Sequence, residues 1–144
     1  METDENVDVI HLELPAEHKY LNVLGACIGA MLDRADNIPD VESLKYNMEL
    51  AVHETCTNIV EHAYNGKNGR INISLSIYKK PSRFIIELQD TGSPFDVTKI
   101  QEPNLEAPQI HGYGLFITRQ LLDEVNYQSD VGTNQWRLVK NLAS

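Results

Sequence analysis

Cysteine is scarce in this sequence, and the pattern of the few that occur does not indicate a disulfide. Only two are found among the 144 residues, Cys27 and Cys56, and each lies within an apolar pattern of helical spacing. Thiols so placed and so far apart are typical of buried cysteines in a reducing compartment. Four of the five histidines also lack the spacing of a zinc site, both with one another and with the cysteines. They are His11, His18, His53 and His111. We therefore expect two free thiols and no structural zinc.

Basic residues are also few. The chain has 12 Lys and Arg against 21 Asp and Glu, for a net charge of -9. Nucleic-acid binding relies on clustered Lys and Arg, and no basic stripe occurs, so nucleic acid is excluded as the expected partner. The same charge repels ATP. A nucleotide site in this chain would therefore need a cation, helix N-termini and backbone amides to offset the repulsion.

Long hydrophobic runs are absent as well. The chain contains no stretch of about 18 apolar residues that could cross a membrane, and the acidic residues 1–8 lack the apolar core of a signal peptide. The sequence therefore predicts a cytoplasmic protein without a membrane partner. Its length, with 42% hydrophobic residues, predicts a single domain over residues 1–144 whose core needs no disulfide.

Apolar periodicity divides the chain into strands and helices. Alternation predicts strands at 7–14, 71–77, 84–89, 125–129 and 135–140, the last two joined by a turn at Gly132-Thr133-Asn134. Helical spacing predicts helices at 16–35, 41–65 and from 115 to about 124. This order is rich in hairpins and does not alternate strand with helix. It predicts an α+β two-layer sandwich, with a mixed, mainly antiparallel sheet and its helices on one face.

Three polar residues follow one face of the second predicted helix, opposite its apolar stripe. Glu54, Asn58 and His62 are spaced by four, so each is turned only a little from the last. A glutamate can accept a proton from an attacking hydroxyl, and an asparagine oxygen can ligate Mg²⁺ shared with phosphates. The spacing alone favours a solvated helix face, so a catalytic role needs support from elsewhere in the chain.

Two glycine-containing motifs supply further candidates. Asp90-Thr91-Gly92 follows an apolar strand, where an ionised Asp can accept from an exocyclic amine and Gly lets a flat base approach; an ordinary turn has the same composition. Gly112-Tyr113-Gly114 opens the third helix, whose free N–H groups can bind phosphate, although an ordinary helix start fits as well. Trp136 with Tyr127 is expected to pack the last hairpin rather than to stack on a ligand.

Taken together and in order, these segments resemble the motifs of the ATP-binding domain shared by gyrase B, histidine kinases and bacterial anti-sigma-factor serine kinases, the Bergerat fold. Residues 49–64 resemble its N box, residues 90–96 its first glycine box and residues 112–115 its second. Residues 114–125, followed by Gly132-Thr133, are similar to the compact anti-sigma-factor serine/threonine kinases within that superfamily.

The resemblance implies ATP and Mg²⁺ as cofactors and gives roles to residues of this chain. Glu54 would be the general base, Asn58 the Mg²⁺ ligand and Asp90 the acceptor of the adenine amine. The remaining nucleotide contacts would be Gly92, Gly112, Tyr113, Gly114, Leu115 and Thr133, under a lid at about 94–111. The implied partners are an anti-anti-sigma protein, whose serine or threonine takes the γ-phosphoryl group, a sigma factor, and a second copy forming a homodimer.

The first predicted helix departs from the family pattern. Kinases of this family carry an arginine there that reaches the γ-phosphate, and a gapless match places Gly25 at that position. Lys19, Arg34 or a lid residue would have to substitute for it. The first glycine box also has Pro94 where a second close glycine is expected. The alternative function is therefore an ATP-binding regulatory module that does not transfer phosphate.

Overall fold

The computed structural model describes residues 7–65, 67–94 and 113–142, with side chains from residue 116 onward in the last range. The elements follow the predicted order. They are β1 (Val7–Pro15), a 3₁₀ turn (His18–Tyr20), α1 (Leu21–Asp33), α2 (Val41–Asn58) with a π-helical turn (Ile59–Ala63), β2 (Arg70–Lys79), β3 (Ser82–Asp90), α3 (Tyr113–Leu121), β4 (Glu124–Asp130) and β5 (Thr133–Asn141).

The strands form one sheet in the order β1-β2-β3-β5-β4. All four neighbouring pairs are antiparallel, so among the strands described here the sheet contains no parallel pair. The predicted α+β sandwich is confirmed. The β3–β5 register pairs Asp90 with Asn134, so the end of β3 lies directly beside the start of β5.

Helices cover one face of this sheet and enclose a single apolar cluster. Alternate residues of β2 and β3 point into it, as the sequence pattern predicts, and meet the apolar stripes of α1 and α2. The members with no measurable exposure include Ile28, Leu32, Met48, Cys56, Ile71, Leu75, Phe84 and Ile86. Burial raises the pKa of the Cys56 thiol to about 12. The core thus fixes the positions of α2 and β3, which carry the candidate site.

The first predicted helix is shorter than its sequence pattern. The backbone N–H of Ala16 donates to the carbonyl of Gly69 at 2.8 Å, and a 3₁₀ turn at His18–Tyr20 follows, so α1 begins only at Leu21. Apolar spacing at residues 16–20 could not reveal this bond, because its partner lies at the start of β2.

The second predicted helix also changes character before its predicted end at residue 65. Asp40 caps its N-terminus, accepting from the Ser43 N–H at 3.3 Å. The α-helix ends at Asn58 and continues as the π-helical turn, in which the Tyr64 N–H donates to the Ile59 carbonyl at 3.1 Å. Such single turns are rare and often lie at functional sites.

Candidate functional site

The first two predicted motifs meet in one cleft. Asn58 is the last residue of α2 and Asp90 the last of β3, and both line a small cleft with a cavity volume of about 10 Å³. The other lining residues are Ile59, Ala63, Ser93, Tyr127 and Trp136. Glu54 lies one turn before Asn58 on α2 and is half-buried. A space of this size holds about one water molecule, whereas ligand pockets usually exceed about 300 Å³, so most of a bound ligand would lie outside it.

Among the described residues, Asp90 is the one acidic side chain that lines the cleft, and it is only 3% exposed. Its Oδ1 accepts from the Gly92 N–H at 2.9 Å and from Asn134 Nδ2 at 2.8 Å. Burial raises the pKa of this carboxyl, and these two hydrogen bonds oppose the rise. Neither bond uses Oδ2, and none of the residues described here donates to it, so Oδ2 can accept from a ligand.

Gly92 allows the turn after β3 to lie against the π-helical turn. A Cβ at this position would overlap the backbone carbonyl and the Cβ of Ala63. The neighbouring Ser93 N–H donates to the Ala63 carbonyl at 2.6 Å. The predicted role of Gly92 was close approach of a base; the structure shows close approach of a helix end, which sets the shape of the cleft.

Tyr64 ties the same two segments together, and sequence reasoning assigned it no role. Its hydroxyl donates to the Arg70 carbonyl at 2.7 Å, and the Thr91 N–H donates to it at 2.9 Å. The position immediately after the π-helical turn gives it this reach. The Tyr64 side chain therefore fixes the position of Thr91. Thr91 lies between Asp90 and Gly92, which are joined by a hydrogen bond.

Asn134 is the second site residue that sequence reasoning missed. The predicted turn included it, but β5 begins at Thr133 and Asn134 is 2% exposed against Asp90. Thr133, predicted as a contact near the base, is exposed and pairs with Asp130 across the hairpin. Alternation with the buried Trp136 and Leu138 was the signal, because it extends back to residue 134 on the same face of the strand.

The aromatic pair of the last hairpin has two roles. The ring centroids of Tyr127 and Trp136 lie 4.6 Å apart with the planes tilted by 50°, which confirms the predicted packing. Both residues also line the cleft beside Asp90, which the sequence did not predict. A ligand in the cleft would therefore contact aromatic rings as well as polar groups.

The second glycine box is only partly visible. α3 begins at Tyr113, so the predicted helix opening is where it was expected, while Gly112, most of the lid and the side chains of Tyr113 and Leu115 lie outside the described residues. Thr118, predicted on the inner side, is fully buried and donates to the Ala51 carbonyl at 3.3 Å. This contact holds α3 against α2.

The side chain beside Gly25 is acidic, whereas the family pattern has a basic residue at the position of Gly25. A Cβ at Gly25 would be 3.7 Å from Cγ of Glu49, an ordinary contact, so a side chain could be accommodated there. Lys19 ion-pairs with Glu17 at 3.9 Å. Arg34 lies nine residues beyond Gly25, about 13 Å along the helix axis, and bonds to the Ala30 carbonyl at 2.8 Å. Neither predicted substitute is therefore placed next to Gly25.

Two larger depressions lie away from these residues. One crosses the polar face of the sheet near Asn72, Glu87 and Gln135, and the other lies between β1 and α1 near Val9 and Met31. Neither is lined by a residue of the predicted site. No helix within the described part of the chain is long and apolar enough to span a membrane.

Comparison with known proteins gives the family of this chain. Residues 14–140 match the histidine kinase-like ATPase domain family. The serine-protein kinase RsbW of Bacillus velezensis is 31% identical over 137 residues, which covers 88% of this chain and 82% of that protein. RsbW of Oceanobacillus iheyensis is 32% identical over 137 residues, with 88% and 83% covered.

Solved structures share the fold at lower identity. The RsbU and RsbW domains of a Mycobacterium tuberculosis protein superpose with a TM-score of 0.67 at 18% identity, over 94% of this chain and 32% of that one. The histidine kinase domain of a blue-light activated kinase from Erythrobacter litoralis gives 0.56 at 22% identity, over 90% and 62%. The chain belongs to the histidine kinase-like ATPase domain family, and serine-protein kinases named RsbW are among its relatives.

Proposed function

We propose that this protein binds Mg-ATP in the cleft between α2 and β3 and transfers the γ-phosphoryl group to a serine or threonine of an anti-anti-sigma protein. In the same proposal a homodimer of the chain sequesters a sigma factor. The relatives that support it are named as serine-protein kinases and are about as long as this chain. The adenine site rests on the observations above, and the partners rest on the family.

The observation that carries the nucleotide site is the buried Asp90 carboxylate with one oxygen committed. Gly92 and Asn134 both donate to Oδ1, which leaves Oδ2 as an acceptor directed by a rigid network. An ionised carboxylate accepts hydrogen bonds and cannot donate them. It therefore suits the exocyclic amine of adenine, with the rings of Tyr127 and Trp136 alongside.

Asn58 would hold Mg²⁺ through its side-chain oxygen. Among the residues that the structure describes, no three His, Cys, Asp or Glu side chains cluster as a metal cage. A single amide oxygen from Asn58 suits an ion carried mainly by phosphates, because Mg²⁺ usually takes only one or two protein ligands and keeps substrate oxygens and waters. When bound, the ion would neutralise phosphate charge, which this acidic chain needs.

Glu54 is the proposed general base. Its carboxylate takes the proton of the acceptor hydroxyl as that oxygen bonds to the γ-phosphorus, while the bond from phosphorus to the β–γ bridging oxygen breaks and ADP leaves with the electron pair. Its position one helical turn before Asn58 supports this role, since base and metal ligand then face the same end of the nucleotide.

A second candidate function is an ATP-binding regulatory module without phosphoryl transfer. The observation that favours it is Glu49 beside Gly25, where the family pattern has an arginine. A cation that stabilises the transferring phosphoryl group is worth orders of magnitude in rate, and an acid in its place works against transfer. In this function ATP would order the partner-binding surface and leave unchanged.

Label transfer separates the two functions. We would incubate the full chain with Mg²⁺ and ATP labelled at the γ-phosphate, using the products of neighbouring genes as candidate acceptors. We expect label on one acceptor, loss of that label in Glu54→Gln, and an ATP affinity within a few-fold of the parent in that variant. Glu42→Gln is the matched control, because Glu42 lies in the first turn of the same helix and is exposed.

Two outcomes would contradict parts of the proposal. Transfer that persists in Glu54→Gln would remove Glu54 as the base. Tight ATP binding with no labelled acceptor would favour the regulatory module, and absence of ATP binding would contradict both functions.

A further inference from the structure

We propose that Asn134, held at its other end by Ser129, positions the Asp90 carboxylate for a purine amine and thereby sets the preference of this site for ATP over GTP. The inference rests on the nucleotide site proposed above and goes beyond it by assigning base selectivity to two residues of the β4–β5 hairpin. Asn134 acts here as a positioning residue, since its partners are other groups of the protein.

The Asn134 amide connects β5 to the whole turn that follows β3. Its Nδ2 lies 2.8 Å from Asp90 Oδ1 and 2.9 Å from the Gly92 carbonyl oxygen. The strand register places the two residues opposite each other, so the contact is short and direct. With Asn134 and Gly92 both donating to Oδ1, the carboxylate cannot rotate without breaking buried hydrogen bonds.

The Asp90 carboxylate and the Gly92 carbonyl determine which way the Asn134 amide faces, because both accept hydrogen bonds and neither donates. Ser129 holds the other end of the amide. Its hydroxyl donates to Asn134 Oδ1 at 2.7 Å, and the two residues are paired across the β4–β5 hairpin. The carbonyl of the amide is thereby turned toward Ser129, and its NH₂ group toward Asp90. If the Asn134 amide were reversed, its oxygen would face Asp90 Oδ1, with no proton between the two oxygens.

Hydrogen bonds from Asn134 and Gly92 favour the charged form of the Asp90 carboxyl. Burial raises the pKa of Asp90, while the bonds from Asn134 and Gly92 lower it. Tyr127 is the other titratable group that lines the cleft, and Tyr64 approaches through Thr91. Glu61 and His62, the titratable side chains of the π-helical turn, are exposed. Asn134 therefore supplies one of two bonds that favour the ionised form.

The ionisation state decides which purine fits. A carboxylate accepts from the adenine amine but repels the carbonyl oxygen that guanine carries at the same ring position. A protonated Asp90 could donate to that carbonyl. Loss of the Asn134 bond favours protonation, so we expect ATP to bind less tightly and the margin over GTP to narrow near neutral pH.

The test is a set of calorimetric titrations of the full chain with Mg-ATP and Mg-GTP between pH 5 and about 8.5. For Asn134→Ala we expect ATP affinity at pH 7 to fall on the order of tenfold, as for a lost bond to a charged group. The pH midpoint of ATP binding should rise, because loss of this hydrogen bond favours the protonated carboxyl. Ser129→Ala should shift both in the same direction by less.

Two further variants separate positioning from folding. Asn134→Thr keeps a hydroxyl donor near Asp90, so we expect the pH midpoint and the ATP preference to return toward those of the parent. Gln135→Ala is the matched control: the amide of Gln135 donates to Glu87 Oε2 at 2.6 Å on the opposite face of the same strand. We expect it to leave the midpoint unchanged.

The outcomes distinguish this inference from the proposed function. A parent protein that binds ATP, with Asn134→Ala and Ser129→Ala retaining the parent's pH midpoint and ATP-to-GTP ratio, would overturn the role of Asn134 alone. A parent that binds no ATP at any pH would overturn the nucleotide site, and this inference with it. If Asn134→Ala does not fold, Ser129→Ala and Asn134→Thr give the same reading.

Discussion

At the scale of single residues, the needs of binding and of folding oppose each other at Asp90. Its pKa in the fold lies above the ordinary aspartate value because burial disfavours the charge. Folding therefore favours the protonated carboxyl. The stability gained in that way is fully present at pH below the aspartate range and is lost as the pH rises through the raised pKa. The proposed ligand requires the charged carboxylate, whereas burial in the fold disfavours it.

Asp90→Asn should therefore separate binding from stability. The new amide oxygen can still accept from Gly92 and Asn134, but the acceptor for the adenine amine is gone. We expect ATP affinity at pH 7.5 to fall on the order of tenfold or more. The Tm of Asp90→Asn should be no lower than that of the parent. The difference between the two Tm values should shrink as the pH is lowered toward 4. Titration calorimetry and thermal unfolding measure the two quantities.

A neutral substitution elsewhere serves as the control. Asp130→Asn removes the same charge from an exposed position of the last hairpin and should change neither ATP affinity nor the pH dependence of Tm. If Asp90→Asn binds ATP as well as Asp130→Asn does, Asp90 is not the acceptor of the base.

How far single residues were predictable depends on where they sit in the elements. Asn58 could be chosen from sequence by its spacing from Glu54 and His62, and Asp90 because it follows a strand with a strong apolar pattern. Asn134 and Tyr64 could not, because both act through partners far along the chain. The Asn134 contact with Asp90 spans 44 residues and that of Tyr64 with Thr91 spans 27.

At the scale of elements, the π-helical turn at the end of α2 shapes the site. Its last carbonyl, that of Ala63, accepts from Ser93, and the absence of a Cβ at Gly92 permits the contact. The sequence predicted a helix through this region but could not predict the change of helix type, because local apolar spacing does not distinguish a π-helical turn from an α-helical one. Apolar spacing likewise could not predict the late start of α1.

Gly92→Ala tests this contact between elements. The added methyl group has no space against the Ala63 backbone, so the turn must move away from the helix end. We expect a loss of about 1–3 kcal/mol in the free energy of unfolding, together with weaker ATP binding because Asp90 moves with the turn. Urea unfolding and titration with Mg-ATP on the same sample measure both effects.

Gly132→Ala is the matched control for a glycine substitution. Gly132 has φ of 75° and open space around the added methyl group, so the cost is backbone strain of about 1 kcal/mol. ATP affinity should be unchanged in this variant. If Gly92→Ala also left ATP affinity unchanged, the contact between the π-helical turn and Ser93 would have no part in binding.

At the scale of the whole molecule, the order of hairpins and helices was enough to predict the fold class. Five amphipathic strands and three helical segments can bury their apolar faces together in few ways. The sequence left open the spatial order of the strands, since β5 lies between β3 and β4 although it follows both in the chain. That insertion brings Asn134 to Asp90 and could not be predicted from local patterns.

The net charge of -9 makes nucleotide binding depend on a cation. Trp136 is the one tryptophan of the chain and lines the cleft beside Asp90, so its fluorescence reports on the proposed site alone. The most direct test is the Trp136 emission during titration with ATP. We predict a saturable change in the presence of Mg²⁺, a weaker affinity after Mg²⁺ is chelated, and a titration curve for Asp90→Asn that is shifted to ATP concentrations on the order of tenfold higher or more. Unchanged emission in the parent, or the same titration curve in Asp90→Asn, would contradict a nucleotide site between α2 and β3.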